Sequence, residues 1–196
     1  MRYSLSIFLT IGILFLFSWA WAGKANATWI SFPWQAEAMI TGTTPDSKVS
    51  GNVAFAEING GLNVHGDFSN LTPGKHGFHI HENGSCAEVG KSAGGHFNPD
   101  KVTHGYMPKD GMMHAHPGDM GNIEADADGK ATLDIFLPGV TLKEGKYAVF
   151  GRSVIVHEKE DDFSQPTGNA GSRVGCGAIE APKFRGPVCE KGRCPG

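Results

Sequence analysis

The 196-residue chain has no surplus of positive charge and no long helical pattern. It contains 17 lysines and arginines against 20 acidic residues, for a formal net charge of −3. This charge balance gives no reason to expect nucleic acid or an anionic membrane surface as a partner. Because apolar residues do not recur at helical spacing over any long stretch, an all-α domain is also disfavoured.

Residues 1–22 are predicted to be a signal peptide. Arg2 provides a basic start, residues 5–17 are mostly apolar, and Ala20-Trp21-Ala22 matches a cleavage signal, with residue 27 as an alternative end. The apolar run is shorter than the roughly 20 residues of a membrane-spanning helix. We therefore expect an exported protein, in the periplasm or the extracellular space, without a stable membrane anchor.

Only four cysteines are present, and all lie in the part that we expect to be exported. In an oxidising compartment cysteines form disulfides rather than stay as free thiols. Four cysteines allow three pairings, of which we favour Cys86 with Cys176 and Cys189 with Cys194. The last two lie in a predicted tail, residues 181–196, and the competing interpretation of that pair is a soft-metal site.

Residues 23–180 are predicted to form one all-β domain. Seven short segments have β-type sequence: residues 37–43, 49–58, 62–68, 77–82, 122–127, 131–137 and 147–157. Asn59-Gly60-Gly61 and Asp128-Gly129 are hairpin signals between neighbouring segments. The sequence that flanks the last segment allows about eight strands. Many short strands with frequent turns predict an antiparallel Greek-key sandwich or flattened barrel.

Two long polar loops interrupt these strands. Residues 83–121 are rich in glycine and carry most of the histidines, and residues 158–173 are acidic at their start and glycine-rich at their end. Loops of this length in a compact domain are usually functional. We therefore expect the functional site to be built from them.

Potential metal ligands concentrate in and beside the loops. In His79-Ile80-His81 the period of two along a strand puts both imidazoles on the same face. Further candidates follow in the first loop and on a later predicted strand: His96, His104, His114, His116, Asp119 and His157. Imidazole nitrogens suit copper and zinc, and three histidines with one aspartate make a plausible tetrahedral zinc site. The array predicts two adjacent metal sites, one preset by strands and one held by the loop.

Five motifs stand in order along the chain: Gly77-Phe78-His79-Ile80-His81-Glu82, Ala93-Gly94-Gly95-His96-Phe97-Asn98-Pro99, His116-Pro117-Gly118-Asp119, Val156-His157-Glu158 and Gly168-Asn169-Ala170-Gly171-Ser172-Arg173. Together they resemble the copper–zinc superoxide dismutase family, from about residue 48 to residue 179. The resemblance implies an enzyme that converts superoxide to dioxygen and hydrogen peroxide, with one copper and one zinc ion per subunit. The alternative is a non-enzymatic copper-binding or copper-delivery module on the same fold.

The resemblance assigns the candidate ligands to two sites that share one residue. Copper would be bound by four histidines: His79, His81, His96 and His157. Zinc would be bound by three histidines and one aspartate: His96, His104, His116 and Asp119. His96 would bridge the two ions and carry a proton during catalysis. His114 competes for the His116 position, and we choose His116 because the family has its histidine three residues before the aspartate.

Other positions match residues around the ligands in the family. Asp161 matches a carboxylate that links copper and zinc histidines, and His76 resembles a neighbour of the ligands rather than a ligand. Arg173 matches an arginine that lines the copper channel and attracts the anionic substrate. Cys86 would pair with Cys176 and anchor the first loop near the site.

Two features depart from the animal cytosolic enzymes. The second loop is shorter, which together with the signal peptide makes the chain similar to the exported bacterial branch. Dimer surfaces differ between branches, so the oligomeric state stays open, with a homodimer as our expectation. The first loop is also rich in methionines: Met107, Met112, Met113 and Met120. Their thioethers either help to capture Cu(I) or serve as flexible apolar filler, and we favour filler.

Overall fold

A computed structural model describes residues 35–182 of the chain, and all of these lie within one compact unit. The predicted signal peptide, residues 1–22, and the proposed Cys189–Cys194 pair lie outside the described residues. No helix among the described residues is long and apolar enough to cross a membrane.

Strands dominate the described part of the chain. The eight strands are β1 Gln35–Gly42, β2 Ser50–Ile58, β3 Gly61–Ser69, β4 Gly74–His81, β5 Asp119–Ala125, β6 Ala131–Pro138, β7 Ser153–His157 and β8 Arg173–Ala178. Helical structure in the same residues amounts to one 3-10 turn, Lys91–Ala93, and one short helix, α1, Met107–Asp110. The all-β prediction with about eight strands is confirmed.

The strands form one antiparallel sheet in the order β5-β4-β7-β8-β1-β2-β3-β6. The two edge strands, β5 and β6, lie against each other, so the sheet is a nearly closed barrel. β3 is followed in the sheet by β6 rather than by β4, and β6 lies against β5, so the strands β3, β6, β5 and β4 have a Greek-key order. Closure leaves little unpaired strand edge.

Alternation along the strands builds the barrel core. In β2 the side chains of Val53 and Phe55 are buried and their neighbours are more exposed, and in β6 Leu133 and Leu137 are buried in the same way. The predicted turns lie where the sequence placed them, with Gly60 and Gly129 at φ of 88° and 74°. A positive φ is a conformation that glycine adopts without steric cost.

β4 and β7 differ from the other strands because they are covered on both faces. Phe78 and Ile80 of β4 pack into the barrel core, and the residues between and after them point to the opposite face. All five residues of β7 are buried. Two long connections cover the outer face: the first loop, residues 82–118, and the second loop, residues 158–172. The histidines of β4 and β7 are therefore buried beneath the loops.

The sequence did not locate β8, and glycine explains the omission. Glycine is poor in strand propensity, and β8 contains Gly175 and Gly177. A Cβ atom at position 177 would lie 2.6 Å from the carbonyl oxygen of Met39, so glycine lets β8 approach β1 closely. The predicted strand 147–157 is shorter than expected, because β7 begins only at Ser153.

Candidate metal centre

The main chain of Ile80 holds both ends of the first loop against β4. The Ile80 N–H donates to the carbonyl oxygen of Gly118 at 2.9 Å, and the Ile80 carbonyl accepts from the N–H of Phe97 at 2.8 Å. Gly118 precedes Asp119, and Phe97 follows His96. These two hydrogen bonds therefore bring loop residues beside the histidines that flank Ile80.

The first cluster contains four buried histidines whose candidate ligand atoms lie within 4.8 Å of one another: His79, His81, His96 and His157. β4 supplies two of them, β7 supplies one and the first loop supplies one. The rings of His79 and His96 stack with centroids 4.0 Å apart. The structure thus brings together the four residues predicted to bind copper.

Three ring nitrogens of this cluster are buried without a hydrogen-bond partner among the described residues: His79 Nδ1, His81 Nε2 and His157 Nε2. The opposite nitrogens have acceptors. His81 Nδ1 donates to the Gly94 carbonyl at 3.0 Å, His157 Nδ1 to the Gly171 carbonyl at 3.3 Å, and His79 Nε2 to Asp161 at 2.8 Å. Buried polar atoms are rarely left unpaired. Each ring therefore offers one lone pair, which fits a copper ion.

The second cluster surrounds the fully buried carboxylate of Asp119. The Nδ1 atoms of His96, His104 and His116 lie 2.9, 2.7 and 3.0 Å from its oxygens. Three imidazoles and one carboxylate are a donor set typical of a tetrahedral zinc site. Since Nδ1 of His96 faces this cluster, its Nε2 is left for the first cluster, and His96 belongs to both.

Asp161 connects the two clusters. Its carboxylate lies 2.8 Å from His79 Nε2 and 2.9 Å from His104 Nε2. The carboxylate also accepts from the N–H of Phe163 at 2.8 Å. Such a partner fixes the orientation and tautomer of a metal-binding imidazole, and Asp161 does so for one histidine of each cluster.

His76 lies outside both clusters but supports one of them. Its Nδ1 is 2.8 Å from the carbonyl oxygen of His157, and its Nε2 is 2.8 Å from that of Thr72. The ring therefore ties the main chain of His157 to the turn before β4. His76 thus lies next to the first cluster without belonging to it, and its role as a neighbour of the ligands stays a prediction.

The structure places the two competing loop histidines differently. His116 is buried beside Asp119, whereas His114 is exposed and takes part in neither cluster. The methionines also separate: Met107 and Met120 pack in the hydrophobic core, while Met113 is 79% exposed. Two of the four thioethers therefore serve as core filler and are not available to capture an ion at the surface.

Burial and hydrogen bonding shift the pKa values of individual histidines in opposite directions. Burial, followed by the charge of a neighbouring histidine, lowers the pKa of His157 to about 3 and the pKa of His96 to about 4. Burial also disfavours a charged His104, but hydrogen bonds to Asp119 and Asp161 outweigh it and raise the pKa of His104 to about 9. Burial opposes a charged Asp119, but hydrogen bonds from His104, His116 and His96 outweigh it and hold the pKa of Asp119 well below its usual range.

Arg173 lies at the mouth of the first cluster. Its guanidinium group donates to the carbonyl oxygens of Gly90 and Gly94 at 2.5 and 2.6 Å. A cavity of about 220 Å³ is lined by Arg173 together with His81, His96 and His157. An anion that enters this cavity meets a fixed positive charge beside the histidines.

The predicted disulfide between Cys86 and Cys176 is present and joins the first loop to β8 across 90 residues of sequence. It lies on the same loop segment as the carbonyls of Gly90 and Gly94 that hold Arg173. The bond therefore anchors the segment that positions the arginine.

Two carboxamides beside the clusters were missed by the sequence analysis. Asn122 forms two hydrogen bonds with the main chain of Asp161, and Gln165 forms two with the main chain of His104. Their partners are main-chain groups 39 and 61 residues away in sequence. No periodicity or short motif signals a pairing of that kind.

An antiparallel barrel with two buried histidine-rich clusters that share one residue defines a metalloprotein with two adjacent ions. A family profile described as copper/zinc superoxide dismutase matches residues 49–179. The chain therefore belongs to the copper/zinc superoxide dismutase family, and it is an oxidoreductase that acts on superoxide with copper and zinc as cofactors. The predicted family, enzyme class and cofactors are confirmed.

Curated relatives agree with this membership. The extracellular superoxide dismutase [Cu-Zn] of Caenorhabditis elegans is 43% identical over 140 residues, which cover 68% of this chain and 62% of that protein. The extracellular enzyme of Drosophila melanogaster is 42% identical over 162 residues, covering 76% of this chain and 86% of the relative. Superoxide dismutase [Cu-Zn] 5 of Dictyostelium discoideum is 46% identical over 128 residues, covering 62% and 82%.

A solved structure has the same fold. The crystal structure of the clock protein EA4 is 36% identical, with a TM-score of 0.67, and the match covers 76% of this chain and 95% of that one. The three curated relatives come from eukaryotes, so they give no support to the expectation of a bacterial branch.

We expect zinc uptake by the metal-free protein to release about one proton from His104 at pH 8. Because the pKa of His104 is raised to about 9, its Nδ1 must lose a proton before it can bind a cation. From this group alone, zinc affinity falls about tenfold for each pH unit below 9. Calorimetric titration in two buffers of different protonation enthalpy measures the proton count. Zinc affinity that does not change between pH 7 and 8.5, with no proton released, would contradict the expectation that His104 loses a proton when zinc binds.

Proposed function

We propose that the two clusters are the copper and zinc sites of this superoxide dismutase, with His96 as their common ligand. Copper is bound by the histidines of the first cluster: His79, His81, His96 and His157. Zinc is bound by the residues around the buried carboxylate: His96, His104, His116 and Asp119. The observation that carries the proposal is the set of three buried, unpartnered ring nitrogens in the first cluster.

Copper supplies one-electron chemistry between Cu(II) and Cu(I) when it is bound, and the protein supplies position, charge and protons. His96 is the residue placed to move a proton. Its Nδ1 faces Asp119 at 2.9 Å, and its Nε2 is left on the side of the cavity that also contains Arg173. A proton held at Nε2 is therefore beside the space where the substrate reacts.

Arg173 attracts and orients superoxide. Its guanidinium group keeps its charge, and the carbonyls of Gly90 and Gly94 hold it at one edge of the cavity. Positive charge in a cleft can raise the on-rate of an anion by roughly 10–10³-fold. This local charge matters because the whole chain has a formal net charge of −3.

The zinc cluster organises the loops around the copper side. Asp119 lies within hydrogen-bond distance of three histidines of the first loop. Asp161 of the second loop lies within hydrogen-bond distance of one histidine of each cluster. A cation in the second cluster therefore holds both loops, and through Asp161 it holds His79 as well.

We also propose that the chain is exported, to the periplasm or the extracellular space. The predicted signal peptide supports export, and two of the relatives above are named extracellular enzymes. The limits of the domain at residues 23–180, the homodimer and the tail disulfide stay predictions.

The direct test of this function compares superoxide turnover by the metal-loaded protein with that of His79→Ala. The variant loses one unpartnered nitrogen of the copper cluster. Loss of a residue that only orients a metal ligand typically costs roughly 10- to 100-fold, so loss of a ligand itself should lower turnover by at least that factor. Zinc content should stay near one ion per chain. The matched control is His114→Ala, which removes an exposed histidine outside both clusters and should keep the wild-type rate.

Two results would overturn the proposal. Wild-type turnover by His79→Ala would remove this residue from the copper site. A wild-type protein that binds copper but does not consume superoxide would be the non-enzymatic copper-binding or copper-delivery module instead.

Arg173→Ala should lower turnover by about tenfold or more and weaken its dependence on salt, without loss of either metal, because steering by one fixed charge is removed. Turnover is measured by pulse radiolysis over a range of ionic strengths. Lys130→Ala is the control: it removes the same unit charge from the exposed β5–β6 turn and should leave both quantities unchanged. Equal behaviour of the two variants would show that Arg173 acts only through net charge.

A further inference from the structure

The carboxamide of Gln165 in the second loop pairs with both main-chain groups of His104 in the first loop. Its Oε1 accepts a hydrogen bond from the His104 N–H at 2.9 Å, and its Nε2 donates to the His104 carbonyl at 2.8 Å. Two bonds from one planar group fix the position and the orientation of the backbone at that residue. No motif or resemblance assigned a role to Gln165.

The second loop also holds the ring of the same histidine. Asp161 lies 2.9 Å from His104 Nε2, while Asp119 lies 2.7 Å from Nδ1 on the other side of the ring. His104 is therefore fixed by the second loop at two places, its main chain and its ring. Removal of the Gln165 bonds would leave the ring contacts, and the bond from the adjacent Gly105 N–H to Asp119, to define the position of Nδ1.

Gln165 also lies between the second cluster and solvent. It lines an open cleft of about 460 Å³ whose lining includes His96 and His116. Those two histidines are 7% and 5% exposed, so the cleft reaches the edge of the cluster. A shift of the second loop at this point would widen the path between bulk water and the ligands.

A second carboxamide provides a natural comparison. Asn98 forms the same kind of paired contact with the main chain of Val102, donating to its carbonyl at 2.9 Å and accepting from its N–H at 3.1 Å. Val102 belongs to neither cluster. Loss of the Asn98 contacts therefore disturbs the first loop between His96 and His104 without removing a hydrogen bond to a residue of the second cluster.

We propose that Gln165 is a positioning residue for zinc: by fixing the main chain of His104 it sets the affinity and the exchange rate of the zinc ion. This inference rests on the assignment of zinc to the cluster around Asp119. Gln165 contacts no residue of the first cluster through these bonds, so its direct effect is on the zinc side. Partners that orient metal ligands typically contribute 10- to 100-fold to metal affinity.

The experiment uses the full mature chain and three substitutions, with His104→Ala as a fourth that tests the zinc assignment. Gln165→Met keeps the length of the side chain and removes both hydrogen bonds. Gln165→Glu keeps the acceptor for the His104 N–H but cannot donate to its carbonyl when ionised. Asn98→Ala is the matched control. Zinc affinity and dissociation rate are measured by competition with a chromophoric chelator, and the visible absorption of Co(II) bound in place of zinc reports the ligand geometry.

Gln165→Met should bind zinc about 10- to 100-fold more weakly, release it faster and change the Co(II) spectrum. Gln165→Glu should change the same quantities in the same direction. In both variants copper affinity should stay within about twofold of wild type, because the hydrogen bonds that are lost orient a zinc ligand and not a copper ligand. Asn98→Ala should keep the wild-type spectrum. A merely structural effect would move stability but not the spectrum.

Wild-type zinc affinity and Co(II) spectrum in Gln165→Met would overturn the inference, as would changes in Asn98→Ala equal to those in Gln165→Met. If Gln165→Met does not fold, the same comparison with Gln165→Glu decides. The variant His104→Ala tests separately whether zinc binds at the cluster around Asp119. Undiminished zinc affinity in His104→Ala overturns the assignment itself, whereas weak binding by His104→Ala beside wild-type binding by Gln165→Met overturns only the role of Gln165.

Discussion

Two buried carboxylates hold the whole centre together. Asp119 lies against three imidazole rings of the second cluster, and Asp161 reaches one ring of each cluster, His79 and His104. A buried charge is costly unless it is paired and hydrogen-bonded. These carboxylates are tolerated because nearly every oxygen faces a ring nitrogen or a main-chain N–H, and the same contacts dictate which nitrogen of each ring stays free for a metal.

The placement of the proposed strand ligands could be predicted because it follows from local geometry. Period two along β4 puts His79 and His81 on the face opposite Phe78 and Ile80, and the structure has this arrangement. The choice of the proposed loop ligands needed the resemblance, since spacing alone does not decide between His114 and His116. In the structure, the burial of His116 beside Asp119 separates the two.

The features that the sequence did not reveal depend on contacts with backbone rather than on side-chain patterns. β8 was missed because Gly177 is selected by the nearby Met39 carbonyl, not by strand propensity. Gln165 was missed because it pairs with main-chain groups 61 residues earlier in the sequence. Arg173 was recognised through its motif. Its hydrogen bonds to the carbonyl oxygens of Gly90 and Gly94 depend on the folded first loop and have no signal in the sequence.

The central claim is that one imidazole, His96, belongs to both metal sites. Measuring copper and zinc affinities of His96→Ala tests it most directly, with His81→Ala and His116→Ala as single-site comparisons. The account predicts that His96→Ala weakens binding of both metals, while His81→Ala weakens mainly copper and His116→Ala mainly zinc. Loss of affinity for only one metal in His96→Ala would contradict the shared site.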